Sequence, residues 1–196
     1  MASSDQAQQQ RKILICGDVK GKLSTLYKRI ASVNKSAGPF DAVFCVGSFF
    51  DGPSAIAPGA SDEAAVAAAA AAAEGPFNNE ELRAYVDGTE SAPIPTYFVE
   101  GLPSGREFCR DPDGKVAPNI TFLRKPGVFN LHGLRVAVLP GRYNEISYKD
   151  ESKVSASTAL REGEYRAVDV DAIKAAYFAD GGGVVAGDAG TLPIGY

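Results

Sequence analysis

Residues 12–16 run into Gly17 as an almost unbroken apolar stretch, Ile-Leu-Ile-Cys after Lys12, the pattern of a strand buried on both faces. Leu23, Leu26, Tyr27, Ile30 and Val33 then recur at helical spacing. That spacing predicts an amphipathic helix over residues 22–34, with Lys28, Arg29 and Lys35 on its polar side. Ser36-Ala-Gly-Pro39 supplies breaker chemistry at its end. Residues 41–46 form a second apolar run, entering a loop at Gly47. Strand, helix and strand in this order predict a βαβ unit with parallel strands and a right-handed crossover.

Residues 52–76 depart from this pattern. Gly52, Pro53, Pro58 and Gly59 make a loop, and Ser61 is placed to cap an alanine helix that stops at Gly75-Pro76. Alanine favours helix but has little surface to bury, so the stretch at about 53–76 is expected to be a low-complexity insertion without function. Asn79 is expected to cap a short helix with Leu82, Tyr85 and Val86 inward. Residues 96–99 and 120–123 read as strands, and residues 128–131 and 134–139 as a hairpin turning at His132-Gly133. Residues 141–166 look polar and irregular, Ala172, Ile173, Ala176, Tyr177 and Phe178 mark a last helix, and residues 184–186 suggest a final strand. The expected class is α/β.

Composition narrows the picture only a little. The chain has 196 residues, enough for one core, and its net charge of −4 supplies no global field toward nucleic acid, so any RNA contact falls to a local patch. Cys16, Cys45 and Cys109 are odd in number and widely spaced, and two sit in apolar runs, which favours reduced thiols acting as small hydrophobes. Residues 1–11 have no apolar core and are expected to be a disordered tail rather than a signal peptide. With no long apolar segment, a soluble intracellular protein without membrane contact is expected.

The candidate chemistry gathers where strands end. Gly17-Asp18, Gly47-Ser48 and Glu100-Gly101 each follow an apolar run, and the carboxyl ends of neighbouring strands in an open α/β sheet form the usual ligand crevice. The runs CGDVKGK and FDAVFCVGSFF, with APIPTYFVEG and APNITFLRKPGVFNLHGLRVAVLPG, carry a resemblance. On them the chain resembles the amino-terminal, metallophosphoesterase-like domain of the CwfJ-type, Cwf-nineteen-like proteins, relatives of the RNA lariat debranching enzyme. The resemblance implies a calcineurin-like metallophosphoesterase-type sandwich over residues 12–196, truncated at its carboxyl end, with the family's CwfJ domains absent.

Carried over residue by residue, the resemblance puts the first metal-site carboxylate at Asp18 and its histidine partner at Lys20. The bridging aspartate falls on Ser48, a neighbouring non-ligand aspartate is kept as Asp51, and the Gly-Asn-His-Glu motif falls on residues 101–104, beginning at Gly101. His132 is the sole histidine, in the expected turn. Two divalent ions ~3.5–4 Å apart need several anionic and neutral donors, and a lysine ammonium has no lone pair to give. The resemblance therefore implies a vestigial pocket of Gly17, Asp18, Lys20, Gly21, Lys22, Gly47, Ser48, Asp51 and Gly101, with no catalytic residue, metal or cofactor. Lys20 is expected to replace the metal's charge beside Asp18 or Asp51. The implied role is a non-catalytic module of pre-mRNA splicing in the nucleus, associated with the post-catalytic spliceosome. It would assist lariat debranching through contacts with spliceosomal proteins, the debranching enzyme or branched RNA.

Plainer readings stand beside these. Asp18 is equally able to cap the helix that starts near Lys22. Lys20 and Lys22 at that helix end read either as a solvated pair or as a phosphate site. Gly17–Lys22 also resembles a P-loop, but it is one residue short and Leu23 replaces the hydroxyl residue. Phe49, Phe50 and Tyr97 are expected in the core, and His132 at the surface. Two alternative functions remain: a phosphodiesterase or nuclease with a degenerate one-metal site on Asp18 and Asp51, and a phosphate or nucleotide sensor using residues 17–22.

Overall fold

The computed structural model describes residues 11–51, 79–100, 108–149 and 164–179. The alanine-rich insertion, Gly101 with the rest of its motif and the suggested strand at 184–186 lie outside the described residues. The βαβ start forms as its pattern implies: β1 (Ile13–Cys16), α1 (Leu23–Ala37) and β2 (Ala42–Cys45), with β1 and β2 parallel. α2 (Glu80–Val86) and β3 (Thr96–Phe98) follow, then β4 (Lys115–Ala117) and β5 (Ile120–Phe122). The sheet order is β1-β2-β3-β5-β4, parallel except for β4, which runs antiparallel to β5. The result is an α/β fold with a mixed sheet flanked by helices.

Strand periodicity gives the sheet two unlike faces. Val43, Cys45, Phe98 and Ile120 point to the buried side, where Leu23, Tyr27 and Ile30 of α1 and Leu82 and Tyr85 of α2 close over them. Phe49, Phe98 and Phe122 form a continuous stack, with centroids 3.8 Å apart for the first pair and 5.0 Å for the second. Phe49 and Phe50 are core residues, as their sequence setting implies. Tyr27 reaches across to Thr96 Oγ1 at 3.2 Å, and burial pushes its hydroxyl pKa well above the ordinary tyrosine range.

The opposite face carries Ile15, Phe44, Tyr97, Thr121 and Lys115 in one cross-strand row. Here β1 departs from the strand buried on both faces that its apolar run implies: it lies at the sheet edge and Ile15 is 67% exposed. Tyr97 likewise leaves the core for this face, where it is half-buried.

A separate hairpin, β6 (Gly127–Leu131) and β7 (Leu134–Val138), turns at His132-Gly133. The hairpin turn expected there forms, and both turn residues have positive φ, 53° and 80°, the signature of a two-residue type I′ turn. His132 is not simply at the surface. It is half-buried, and its Nε2 lies 3.1 Å from the Tyr97 hydroxyl, joining the turn to the sheet.

Of the stretch 141–166, the described residues 141–149 and 164–166 carry more regular structure than their polarity implies. They contain α3 (Glu145–Lys149), and an isolated bridge joins Arg142 to Glu164. Glu164 accepts hydrogen bonds from Asn144 and Ser147, so polar contacts hold a segment with no buried apolar stripe. The last helix, α4 (Ala167–Ala179), packs on β6 and β7. No helix among the described residues is long and apolar enough to cross a membrane.

Candidate functional site

The carboxyl ends of β1, β2 and β3 are neighbours, so the loops after Cys16, Cys45 and Phe98 meet at one edge of the sheet. The first two loops are tied by their backbones. Val19 and Lys20 N–H both donate to Ser48 O, at 2.8 and 3.0 Å, and Gly21 N–H donates to Phe49 O at 2.9 Å. This pairing needs a tight reversal in the first loop. Lys20 and Gly21 take it successively at φ 50° and 71°, a region that glycine enters readily and lysine uncommonly.

Asp18 faces across to the second loop. Its Oδ1 accepts the Ser48 N–H at 2.9 Å, and its Oδ2 lies 3.7 Å from Lys20 Nζ. Of the two carboxylates that Lys20 could face, the structure puts it beside Asp18. Both side chains are about half exposed, so the pair is worth roughly 0–1 kcal/mol. Gly47 lets this happen. At φ +105°, a Cβ there would run into Asp18 Oδ1.

Asp18 does not cap α1. The N-cap position is Lys22, without a side-chain cap bond, and Asp18 lies too far back along the chain. A residue from α2 does that work: Glu81 Oε2 accepts the Ser24 N–H at 2.7 Å. This carboxylate occupies the place a bound anion would take, where the end of the helix dipole favours negative charge. The N–H groups of Val19, Lys20, Gly21, Lys22 and Leu23 are also already spent on backbone carbonyls. Residues 17–22 therefore do not form a phosphate cradle, and the geometry removes the support for the anion-sensor and P-loop readings.

Asn79 likewise sits at the N-cap of α2 without making a side-chain cap bond. Its Oδ1 accepts the Asp51 N–H at 3.0 Å instead, holding the end of the second loop against α2. One residue at this edge was marked in the sequence only by its place after an apolar run, with no role assigned to it. Glu100, 7% exposed, accepts the N–H groups of Phe49 and Phe50 through Oε2 at 2.8 and 3.3 Å. An acidic residue directly after a buried strand was the available signal. Of the remaining vestigial positions, Gly17 has open space around it, Ser48 is half-buried and Lys22 is exposed.

These residues do not fit a dinuclear metal centre. Asp18 is engaged by an amide and an ammonium, Glu100 is turned onto two amides, and the histidine is in a remote turn bonded to Tyr97. Among the described residues, no group of three or more His, Cys, Asp or Glu is arranged to hold a metal ion. What the edge does build is a set of loops pinned to one another.

The class defined by this geometry is an α/β domain whose strand-end crevice is closed by internal polar contacts. No family model matches the chain. Among known proteins, it is 35% identical over 178 residues to zinc finger CCCH domain-containing protein 64 of Arabidopsis thaliana, covering 84% of this chain and 24% of that protein. It is 33% identical over 168 residues to the CWF19-like protein 1 homolog of Drosophila melanogaster, covering 83% of this chain and 25% of that protein. CWF19-like protein 1 of Homo sapiens is 32% identical over 138 residues, covering 69% and 21% respectively. The chain thus spans about a quarter of the length of the curated relatives it matches. Similarity of this kind over most of the chain supports a CWF19-like family for it.

Proposed function

We propose that this chain is a non-catalytic, phosphoesterase-like module of pre-mRNA splicing that works by contact. In this reading it has the calcineurin-like sandwich architecture, resides in the nucleus and associates with spliceosomal proteins after catalysis. It assists lariat debranching by binding the debranching enzyme or branched RNA. Relatives named CWF19-like support the splicing assignment. The observation that carries the non-catalytic part is the state of Asp18, with one oxygen on the Ser48 amide and the other facing Lys20. A site that orders its carboxylate with an amide and a side-chain cation has no need of a metal to neutralise it.

The test is affinity capture on this chain from nuclear extract, with and without added lariat debranching enzyme. Recovery of splicing components, increased or bridged by the enzyme, is the expected result. Recovery of neither would overturn the proposal. Titration calorimetry with manganese or zinc checks the non-catalytic half separately, and tight binding at two sites would restore the phosphodiesterase reading.

A further inference from the structure

Cys16 and Cys45 are register partners on the parallel strands β1 and β2, and their sulfurs lie 3.3 Å apart. Both are free thiols. Each is the last residue of its strand, immediately ahead of the loops that carry Asp18 and Ser48. The two differ in access: Cys16, on the edge strand, is half-buried, while Cys45 is 2% exposed. Adjacent strands run ~4.8 Å apart, inside the ~4.4–6.8 Å Cα separation that a disulfide spans.

We propose that Cys16 and Cys45 are a modification site for hydroperoxide-class oxidants, closing reversibly to a disulfide that ties β1 to β2 beneath the candidate crevice. Cys16 is the attacking sulfur. Its thiolate takes the distal oxygen of hydrogen peroxide, the O–O bond breaks, and the departing hydroxide is protonated to water. The Cys45 sulfur then attacks the Cys16 sulfenic acid, the S–S bond forms, the S–O bond breaks, and a second water leaves with the Cys45 proton. Two thiols are oxidised and one peroxide is reduced. The roles follow from access and from electrostatics: the hydrogen bond between the two sulfurs holds the Cys16 thiol below the ordinary range, while the same contact and burial push Cys45 up. A bond between directly paired strand residues is confined by the ladder, and confined disulfides are the readily reduced ones.

Peroxide treatment of the full chain, denaturation and alkylation with N-ethylmaleimide test this. The reduced chain takes a label at each of its three cysteines. After peroxide, Cys109 alone is expected to label, a digest should yield a linked Cys16–Cys45 peptide, and dithiothreitol should restore labelling at all three. Cys45→Ser should abolish the link and leave Cys16 as a sulfenic acid that dimedone traps. If that variant does not fold, Cys109→Ser serves instead, losing both remaining labels on oxidation. Full labelling after peroxide, a link through Cys109, or higher oxides on Cys16 with Cys45 still alkylatable would each overturn the proposal.

Discussion

Glu100 and Phe49 are joined by a buried hydrogen bond, with the Phe49 N–H 2.8 Å from Glu100 Oε2, and Phe50 shares the same oxygen. The end of β3 thereby fixes the loop that puts both phenyl rings into the core. Glu100→Ala removes the acceptor and strands two amides. A loss of about 1–3 kcal/mol is expected, read from urea unfolding at constant m-value. Glu100→Gln keeps an acceptor and should lose less.

Gly47 and Gly17 make a matched pair for testing the crevice. At Gly47, positive φ and the nearby Asp18 Oδ1 both oppose a side chain, whereas a Cβ at Gly17 meets nothing within 4 Å. Gly47→Ala should destabilise by about 1–3 kcal/mol through backbone strain and the displaced carboxylate. Gly17→Ala should leave the thermal midpoint nearly unchanged.

The α1 terminus depends on a carboxylate from another helix. Glu81→Ala should cost about 0.5–2 kcal/mol, the usual range for a lost cap. Glu81→Gln should retain part of this, since the hydrogen bond survives while the charge facing the helix dipole does not. Far-ultraviolet thermal melts of the two variants separate these contributions.

Asp41 sets an acid-side prediction. The Lys12 N–H at 2.8 Å, and then the Arg11 guanidinium at 3.1 Å, hold its carboxyl below the ordinary value of 3.8. A lowered folded-state pKa stabilises the fold above the unfolded value, and that contribution disappears as pH falls through the lowered one. Asp41→Asn should therefore flatten the stability profile below about pH 4 without changing its shape at neutral pH, as checked by denaturation across an acid series.

β1, β2 and β3 were legible because each lies in an apolar run leading into a glycine-containing stretch, and α1 because Leu23, Tyr27 and Ile30 keep a helical period. β4 was not legible. Lys115-Val-Ala is three residues long, too short to show a period, and its pairing with β5 is irregular. α3 buries nothing, so no hydrophobic pattern betrays it. Asp18, Gly47 and Ser48 were found from their places at strand ends and Lys20 through the resemblance, but the direction of each polar group was not. Whether Asp18 turns back to its own helix or across to Ser48, thirty residues away in sequence, depends on Gly47 beside it in space. The roles of Glu100 and Glu81 escaped for the same reason, since the N–H groups that they accept lie on distant segments.

The shared carbonyl of Ser48 has a dynamic consequence. Val19 and Lys20 both depend on that one acceptor, and Gly21 on the residue beside it. None of the three amides can reach solvent unless the two loops part, so they should exchange their hydrogens as a single cooperative unit. An opening fluctuation would uncover the whole cleft in one event, giving a partner all of its surface or none.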